Sequence, residues 1–272
     1  MLVGRRAARE EARLFVVEGR KSVGESVAAG AAIETVFVDT AAATQADLDL
    51  VAAAQRAGAV VIEVQPGVLG RVCDTVTPQP VAATVGALDV RLTDMAADRP
   101  LLVAVLAGVA DPGNAGSILR SVAAAGEGGV VICGGSVDLY NPKTVRSSAG
   151  AIFRVPIVKD ASQQEIAEQL RGLGYRVFAT SPSCGESYTQ ADLSGPVAIL
   201  LGSEAHGLPP GVAGAADATL SIPLAGGTES LGVAAAGAVM FFEAARQRRA
   251  AAGTSGHPSS ATDPAARIAG AA

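Results

Sequence analysis

The sequence predicts an α/β protein of two domains, in which strands alternate with helices along the chain. The chain has 272 residues, enough for two domains of ordinary size. Its apolar fraction of 49% and charged fraction of 17% allow a substantial core and are not those of a disordered chain. Short apolar runs alternate with stretches of helical periodicity, a pattern typical of βαβ units around a mostly parallel sheet.

The first half of the chain contains three predicted helices and four predicted strands. Arg5–Arg13 is predicted as a short polar helix, and helical patterns predict further helices at Arg20–Ala29 and Ala46–Ala57, which end at Gly30 and Gly58. Runs of β-branched and aromatic residues predict strands at Leu14–Glu18, Ile33–Asp39, Val60–Val64 and Val81–Leu88. The polar stretch Arg91–Pro100 has no core periodicity, so we expect a first domain of residues 1–95.

The second half repeats the alternation over residues 96–250. Leu101–Val109 is apolar throughout, as expected for a strand covered on both faces. Further strands are predicted at Val130–Cys133, Arg176–Thr180, Val197–Leu201 and Ser221–Leu224. Helices are predicted from near Asn114 to Gly126 and at Thr144–Ala149, Gln163–Leu173 and Leu231–Arg249. Residues 251–272 are dominated by small and polar types, which predicts a disordered tail.

Several function classes are disfavoured by what the sequence lacks. It has no Gly-Lys dipeptide and therefore no Walker A loop, and no G-x-G-x-x-G follows a strand, which argues against a nicotinamide-dependent oxidoreductase. Two histidines (His206 and His257) and three widely spaced cysteines argue against a metal site or a His-based triad. The apolar runs are too short for a membrane span and no secretory signal is visible, so we expect a cytoplasmic protein.

The charge of the chain is acidic overall but locally basic. The net charge of −5 argues against binding nucleic acid through bulk charge alone. The first 21 residues nevertheless carry six basic residues against three glutamates, and Arg predominates over Lys throughout, which suits phosphate contacts. A genome-wide preference for Arg would explain the ratio but not the clustering. The basic residues considered as contacts to the phosphates of a nucleic acid are Arg5, Arg6, Arg9, Arg20 and Lys21.

The first of three candidate clusters runs from Asp111 to Arg120. It follows the buried strand Leu101–Val109, where open α/β sheets bind ligands. A purely structural explanation is that Asp-Pro-Gly forms a turn and Asn114 caps the following helix. That explanation leaves out Arg120, which lies about 200° around the helix from the apolar residue Ile118 and therefore off the core-facing side.

The other two clusters are Leu200–Pro209 and Ile222–Val233. The first ends a strand in small residues, which allows the backbone to approach a ligand closely, although a plain exit from a strand would look the same. The second is a glycine-rich loop before a long apolar helix. In it, Ser230 is equally compatible with capping the helix and with facing a ligand.

Together these clusters resemble the three signature motifs of the SpoU (TrmH-like) branch of the SPOUT RNA methyltransferases. Asp111–Arg120 matches D-P-x-N-x-G-x-I-x-R, Gly202–Leu208 matches G-S-E-x-x-G-L, and Ile222–Val233 matches I-P-M-x-G-x-x-x-S-L-N-V with substitutions. Tyr140–Phe153 resembles the family segment N-P-K-x-x-R-x-S-x-G. The N-terminal half, with Phe15–Gly19, resembles the L30e-like substrate-binding domain of such enzymes. The resemblance covers residues 10–248.

The resemblance implies a fold and an activity. The C-terminal domain is expected to contain a deep trefoil knot, an exception to the rule against threaded chains, and to work as a homodimer. Family members transfer a methyl group from S-adenosylmethionine to a ribose 2′-hydroxyl of RNA. The L30e-like half favours 23S ribosomal RNA, because relatives that modify tRNA usually lack it. Some relatives with this domain plan protect 23S rRNA against antibiotics such as thiostrepton, although these residues do not indicate resistance.

The resemblance also implies roles for individual residues. The candidate catalytic residues are Arg120, Asn114, Glu204 and Ser230. Arg120 is assigned to an RNA phosphate rather than to proton removal, because a guanidinium keeps its proton at neutral pH and is therefore a poor base. Arg146 is a second candidate phosphate contact, although a surface ion pair is as plausible. The candidate cofactor-binding residues are Thr180, Ser181, Leu201, Gly202, Ser203, Ile222, Leu224, Ser230, Leu231 and Gly232.

One departure from the family pattern affects the expected activity. Gly232 stands where the third motif has Asn, which removes side-chain hydrogen bonds and adds backbone freedom. This departure leaves open a non-catalytic alternative, in which the chain is an RNA-binding or ribosome-assembly protein that kept the fold and lost turnover. A tRNA 2′-O-methyltransferase is the other alternative.

Overall fold

The computed structural model describes residues 2–73, 77–126, 128–225 and 227–253. The chain divides into two compact units. The first consists of the described residues up to Leu88 together with Tyr140–Arg154, and the second of Asp89–Leu139 and the described residues from Val155 to Gly253. The predicted tail lies outside the described residues from position 254, as does Gly226 of the third cluster.

The described residues form eleven strands and ten α-helices. The strands are β1 (Leu14–Glu18), β2 (Ile33–Val38), β3 (Val60–Glu63), β4 (Val81–Gly86), β5 (Leu102–Ala107), β6 (Gly128–Cys133), β7 (Ile157–Ala161), β8 (Arg176–Thr180), β9 (Glu186–Ser187), β10 (Val197–Gly202) and β11 (Ala218–Ser221). The helices are α1 (Arg6–Ala12), α2 (Arg20–Ala28), α3 (Gln45–Arg56), α4 (Val68–Val72), α5 (Leu92–Ala97), α6 (Pro112–Ala125), α7 (Pro142–Ser147), α8 (Ile166–Gly172), α9 (Pro210–Gly214) and α10 (Val233–Gly253). None of the described helices has the length and apolar character needed to cross a membrane.

The first unit contains a four-stranded mixed sheet in the order β1-β4-β2-β3. Strand β4 is antiparallel to both β1 and β2, and only β2 and β3 are parallel. The expectation of a mostly parallel sheet was therefore wrong for this half, because β4 returns through the middle of the sheet instead of extending its edge. Helix α7 also belongs to this unit, where the Tyr140 ring stacks on Phe15 with centroids 4.7 Å apart.

The second unit contains a seven-stranded sheet in the order β7-β6-β5-β10-β8-β11-β9. All its strand pairings are parallel, which confirms the prediction of a mostly parallel sheet. Strands β5 and β10 are buried along their whole length, as their continuous apolar sequences predict. Strand β10 lies between β5 and β8, which precede it in the chain. The trefoil knot stays a prediction.

Helices cover both faces of this sheet. The side chains of β5 point alternately to the two faces of the sheet. Val103, Val105 and Ala107 lie in a core that includes residues of α5, α8 and α9. Helices α6 and α10 pack against each other and against β5 and β10. The stretch Arg91–Pro100 is not a plain connection, because it contains α5, whose Met95 is buried.

Candidate active site

The three sequence clusters and the β8 exit lie at one edge of the second unit's sheet. Strands β5, β10, β8 and β11 are consecutive neighbours and parallel, so their carboxyl ends share that edge. Gly202 pairs with Ala107 at the ends of β10 and β5, and Leu220 pairs with Thr180 on β11 and β8. The chain changes direction along the sheet between β5 and β8, which is the position where open α/β sheets bind ligands.

The first cluster forms the start of helix α6. Asp111 is its N-cap, and its Oδ1 accepts a hydrogen bond from the Asn114 backbone N–H at 2.8 Å. Asn114 is therefore not the cap, because Pro112 at the first helical turn starts the helix earlier than predicted. The Asn114 side chain instead donates from Nδ2 to Glu204 Oε1 at 2.7 Å. This bond joins the first cluster to the second.

Glu204 is held by several donors. Burial alone would raise the pKa of its carboxyl, but hydrogen bonds from the Asn114 side chain and from the backbone N–H groups of Glu204, Ala110 and Asp111 outweigh it and lower the pKa. The carboxylate is thus ionised at neutral pH and fixes Asn114. It is paired with Asn114 rather than with Arg120.

Arg120 lies on the exposed side of α6. Ile118 and Val122 of the same helix are fully buried, as the helical spacing predicts. The Arg120 guanidinium forms no hydrogen bond or ion pair with another described residue. It is therefore available to an anionic partner.

The second cluster forms a tight loop after β10. Ser203 and Gly207 exchange backbone hydrogen bonds of 3.0 and 2.9 Å, and Ser203 Oγ accepts the His206 backbone N–H at 3.1 Å. A Cβ atom on Gly202 would lie 2.2 Å from the carbonyl carbon of Gly207 and 2.3 Å from Leu208 N. Glycine is therefore required at position 202, because the returning loop crosses directly over it.

The exit of β8 contributes hydroxyl groups beside this loop. Thr180 Oγ1 donates to the Leu200 carbonyl at 2.8 Å, and the Ser181 N–H donates to the Leu220 carbonyl at 3.0 Å. Ser181 Oγ accepts the backbone N–H groups of Ser183 and Cys184 at 3.3 Å. Both predicted cofactor residues thus join β8 to its two neighbours.

The third cluster is an irregular loop between β11 and α10. Its described residues from 222 to 231, which include Ile222 and Leu224, form no backbone hydrogen bond with other described residues. Helix α10 begins at Val233, and the Gly232 carbonyl accepts the Ala236 N–H at 3.0 Å, so Gly232 occupies the N-cap position. Ser230 therefore does not cap the helix. Ser230, Leu231 and Gly232 are exposed.

The predicted basic RNA contacts lie in the first unit and differ in availability. Arg5 and Lys21 are exposed, Arg6 pairs with Glu10 at 2.7 Å, and Arg20 lies 3.9 Å from Asp47. Arg9 is buried, and its guanidinium donates to the backbone carbonyls of Leu2 and Val3. Arg9 therefore holds the N-terminal segment and is not a surface contact in this structure.

Arg146 pairs with a residue that sequence reasoning missed. Its Nη1 lies 3.1 Å from Oε2 of Glu18, whose side chain is only 4% exposed. A carboxylate at the end of the apolar run Leu14–Glu18 was the available signal. Among the described residues, no group of three His, Cys, Asp or Glu side chains is arranged to hold a metal ion.

Comparisons with known proteins find relatives over both halves of the chain. The profile of the SpoU rRNA Methylase family matches residues 101–242, and that of the MRM3-like substrate binding domain matches residues 2–83. The chain is 29% identical over 234 residues to the 23S rRNA (guanosine(2553)-2′-O)-methyltransferase RlmP of Bacillus subtilis, covering 86% of this chain and 89% of that protein.

Two solved structures are similar over most of the chain. The SpoU methyltransferase AviRb from Streptomyces viridochromogenes, in complex with the cofactor AdoMet, superposes with a TM-score of 0.82 at 30% identity, covering 91% of this chain and 95% of that chain. An AdoMet-bound rRNA methyltransferase from Sinorhizobium meliloti superposes with a TM-score of 0.78 at 31% identity, covering 89% and 90%.

Proposed function

Because the chain belongs to the SpoU rRNA methylase family, we propose that it transfers a methyl group from S-adenosylmethionine to a ribose 2′-hydroxyl of ribosomal RNA. The observation that carries this function is the meeting of the three motif loops at the carboxyl ends of four adjacent parallel strands. The 23S rRNA is the favoured substrate, because RlmP acts on 23S rRNA and matches nearly the whole chain. Acting on rRNA implies work in the cytoplasm, where ribosomes are assembled.

The loops at this edge fit S-adenosylmethionine. The described residues among positions 222–225 and 227–231 have backbone N–H and C=O groups without a backbone hydrogen bond to other described residues, and such groups suit the donors and acceptors of an adenine ring and an amino-acid group. Gly202, Ile222 and Leu231 would hold the adenosyl group through the main chain, beside the wall formed by Thr180, Ser181 and Leu201. When bound, the cofactor supplies a methyl group activated by its positively charged sulfur.

The chain's own residues supply alignment and charge. Glu204 fixes the Asn114 side-chain amide, and Asn114 Oδ1, which accepts no hydrogen bond from another described residue, would orient the ribose hydroxyl. Arg120 would bind an RNA phosphate and stabilise the negative charge that develops on the 2′-oxygen. Holding the two reactants in line is worth roughly 7–11 kcal/mol of the barrier. Ser230, exposed on the third loop, is a further candidate for orienting the hydroxyl.

We assign RNA binding in the first unit to its exposed basic residues. Arg5 and Lys21 are the strongest candidates, since their side chains are exposed. Arg6, Arg20 and Arg146 take part in ion pairs, so a phosphate would have to compete with Glu10, Asp47 or Glu18. Arg9 is omitted because it is buried.

A homodimer is the proposed assembly, and helix α10 supports it. Met240, Phe241, Ala244 and Ala245 form the buried face of this helix. Ala235, Ala238, Val239 and Phe242 form a second apolar stripe at helical spacing, and Phe242 is 45% exposed. A second copy of the chain would cover this stripe. In a homodimer, each cofactor site would face Arg120 of the other subunit.

Tritiated methyl transfer tests the function. Purified protein is incubated with S-[methyl-³H]adenosylmethionine and total RNA from a strain that lacks the gene, and the 23S, 16S and tRNA fractions are counted separately. We expect label in the 23S fraction and a loss of at least 100-fold with Arg120→Ala, which should fold normally because its side chain is exposed.

The other outcomes discriminate between the alternatives. Calorimetric binding of S-adenosylmethionine without transfer to any RNA would favour the non-catalytic RNA-binding protein. Label confined to the tRNA fraction would favour a tRNA methyltransferase. Equal transfer by Arg120→Ala and the wild type would remove Arg120 from the mechanism.

A further inference from the structure

A cavity of about 390 Å³ lies beside the loop after β10, on the side of β5. Its polar lining consists of Gln163, Ser203 and His206, and its apolar lining includes Leu208, Pro209 and Pro210. Apart from Ser203, these residues are not among those predicted to hold the cofactor. The cavity therefore has a lining largely of its own.

The walls of this cavity are fixed by hydrogen bonds within the second unit. Gln163 Nε2 donates to the Gly134 carbonyl at 2.7 Å, which holds the side-chain amide in place and leaves its oxygen as an acceptor. The paired Ser203 and Gly207 hold the opposite wall. Gly108 also lines the cavity, and its backbone N–H donates to Ser136 Oγ at 2.9 Å. The site is thus formed before any ligand arrives.

The chemistry of the lining suits an uncharged, flat ligand. No Lys, Arg, Asp or Glu is among the described lining residues, so a phosphate or an amine would find no counter-charge there. The amide of Gln163 and the hydroxyl of Ser203 match the hydrogen-bonding edge of a nucleobase. The prolines and the exposed His206 ring provide flat surfaces for stacking, as RNA-binding sites do for unstacked bases.

The cavity adjoins the groups assigned to the acceptor ribose. Ser203 directly precedes Glu204, which binds the Asn114 side chain. Gly108 lies two residues before Ala110, whose backbone N–H also binds Glu204. A nucleotide with its ribose near Asn114 would therefore have a neighbouring or attached base within reach of this cavity.

We infer that this cavity binds a nucleobase of the acceptor RNA, read by Gln163 and stacked against His206 and the prolines. The inference rests on the proposed function and adds the part of the substrate that the cavity recognises. It assigns His206 and Gln163 to substrate specificity rather than to methyl transfer.

The decisive variant is His206→Ala. With in vitro transcribed 23S rRNA as substrate, we expect the KM for RNA to rise about tenfold, the size of one lost stacking contact, with a much smaller change in kcat. His206→Phe keeps a flat ring and should recover most of the affinity. His257→Ala removes the other histidine of the chain and is the matched control.

Gln163→Ala should also raise the KM for RNA. It should relax discrimination between transcripts mutated around the methylated nucleotide.

Three readouts separate the possible failures. If the wild type methylates RNA while His206→Ala and Gln163→Ala keep the wild-type KM, the inference is wrong and the proposed function stands. If these variants weaken calorimetric binding of S-adenosylmethionine instead, the cavity belongs to the cofactor, which also overturns the inference. If the wild type transfers no methyl group, the proposed function fails, and filter binding of the same transcript to each variant decides the inference on its own.

Discussion

Two glycines of the candidate site have opposite reasons for being glycine. At Gly202 a side chain is excluded by backbone atoms 2.2 and 2.3 Å from the Cβ position, which no rotamer change could relieve. At Gly232 no atom lies within 4 Å of the Cβ position, and the backbone is not left-handed. The absence of a side chain at Gly232 is thus not imposed by the described structure.

The first prediction concerns this open position. Gly232→Asn restores the residue of the family motif at the N-cap of α10, where Asn is preferred over Gly by a few tenths of a kcal/mol. We expect unchanged or slightly higher thermal stability, and a kcat for methyl transfer raised severalfold because the side chain can hold the loop. Steady-state kinetics with 23S rRNA and a thermal melt measure the two effects.

Gly232→Ala is the control for this substitution, because it reduces backbone freedom without adding a hydrogen-bonding group. An equal gain from Ala would assign the effect to loop entropy. A fall in kcat with Asn would show that this chain uses the loop in a different conformation from its relatives.

At the level of elements, a partly buried ion pair between Arg146 and Glu18 joins α7 to β1. The Glu18 side chain is 4% exposed and that of Arg146 is 30% exposed. The other carboxylate oxygen of Glu18 is buried without a hydrogen bond among the described residues. Glu18 thus depends on Arg146 for compensation of its charge.

The second prediction follows from this dependence. Arg146→Met should lower the free energy of unfolding by on the order of 3 kcal/mol, because it leaves a buried carboxylate unpaired. The double variant Glu18→Gln with Arg146→Met should regain much of the loss. Chemical denaturation measures both.

Arg91→Met is the matched comparison. It breaks an exposed ion pair in which the Arg91 and Asp94 side chains are 82% and 47% exposed, so the free energy of unfolding should change much less than with Arg146→Met. Similar losses from both Arg substitutions would mean that Glu18 is well solvated. In that case Arg146 would be free to serve RNA binding instead.

The third prediction concerns the exposed stripe of α10. Phe242→Glu places a charge in the middle of the surface assigned to the second subunit, so the protein should sediment as a monomer. Methyl transfer should fall at least tenfold, because Arg120 of the other subunit would be missing. Sedimentation velocity and methyl transfer at the same protein concentration test this.

Leu173→Glu provides the control, since Leu173 is 41% exposed at the end of α8 and has no assigned partner. It should leave the sedimentation coefficient unchanged. A monomeric wild type, or a dimeric and active Phe242→Glu variant, would contradict the assembly.

At the scale of the whole molecule, the sequence predicted individual helices and strands better than it predicted which of them pair or pack together. The bounds of β1 and β8 agree with the structure because each is a single apolar run between polar residues. The central antiparallel position of β4 depends on long-range pairing, which no local pattern encodes. The two-residue strand β9 and the five-residue helix α9 are too short to have a period.

The candidate site shows the same division. Motif residues at strand ends could be identified from the sequence, and parallel strands bring their carboxyl ends to one edge. The bond between Asn114 and Glu204 joins residues 90 positions apart, and only the insertion of β10 beside β5 makes it possible. The cavity beside His206 was missed for the same reason, because Gln163 reaches it from the turn between β7 and α8, which is distant in the sequence.

The fourth prediction concerns the acid stability of the molecule. Hydrogen bonds and ion pairs lower the pKa of carboxyl groups in both units, in loops as well as in helices; among these groups are Asp47, Asp192, Glu204, Asp217 and Glu243. A carboxyl whose pKa is lower in the folded state stabilises the fold above its unfolded pKa, and this contribution is lost as the pH falls through the folded pKa. The free energy of unfolding should therefore be nearly constant from pH 7 to about pH 5.5 and fall steeply below about pH 4.5.

Asp217 offers the sharpest test of this prediction. Its pKa is lowered first by the backbone N–H of Val177, which donates to Oδ2 at 2.8 Å, and further by Arg171, although burial opposes the shift. Asp217→Asn should lower the free energy of unfolding at pH 7 by about 1.5–3 kcal/mol, the value of a hydrogen bond to a charged group, and should reduce the loss of stability between pH 5 and pH 3. Asp98→Asn makes the same change at an exposed residue after α5, where no side-chain hydrogen bond to a described residue is present. Urea titrations at half-unit pH intervals compare the two variants with the wild type, and parallel pH profiles for Asp217→Asn and the wild type would show that this carboxylate does not contribute to acid stability.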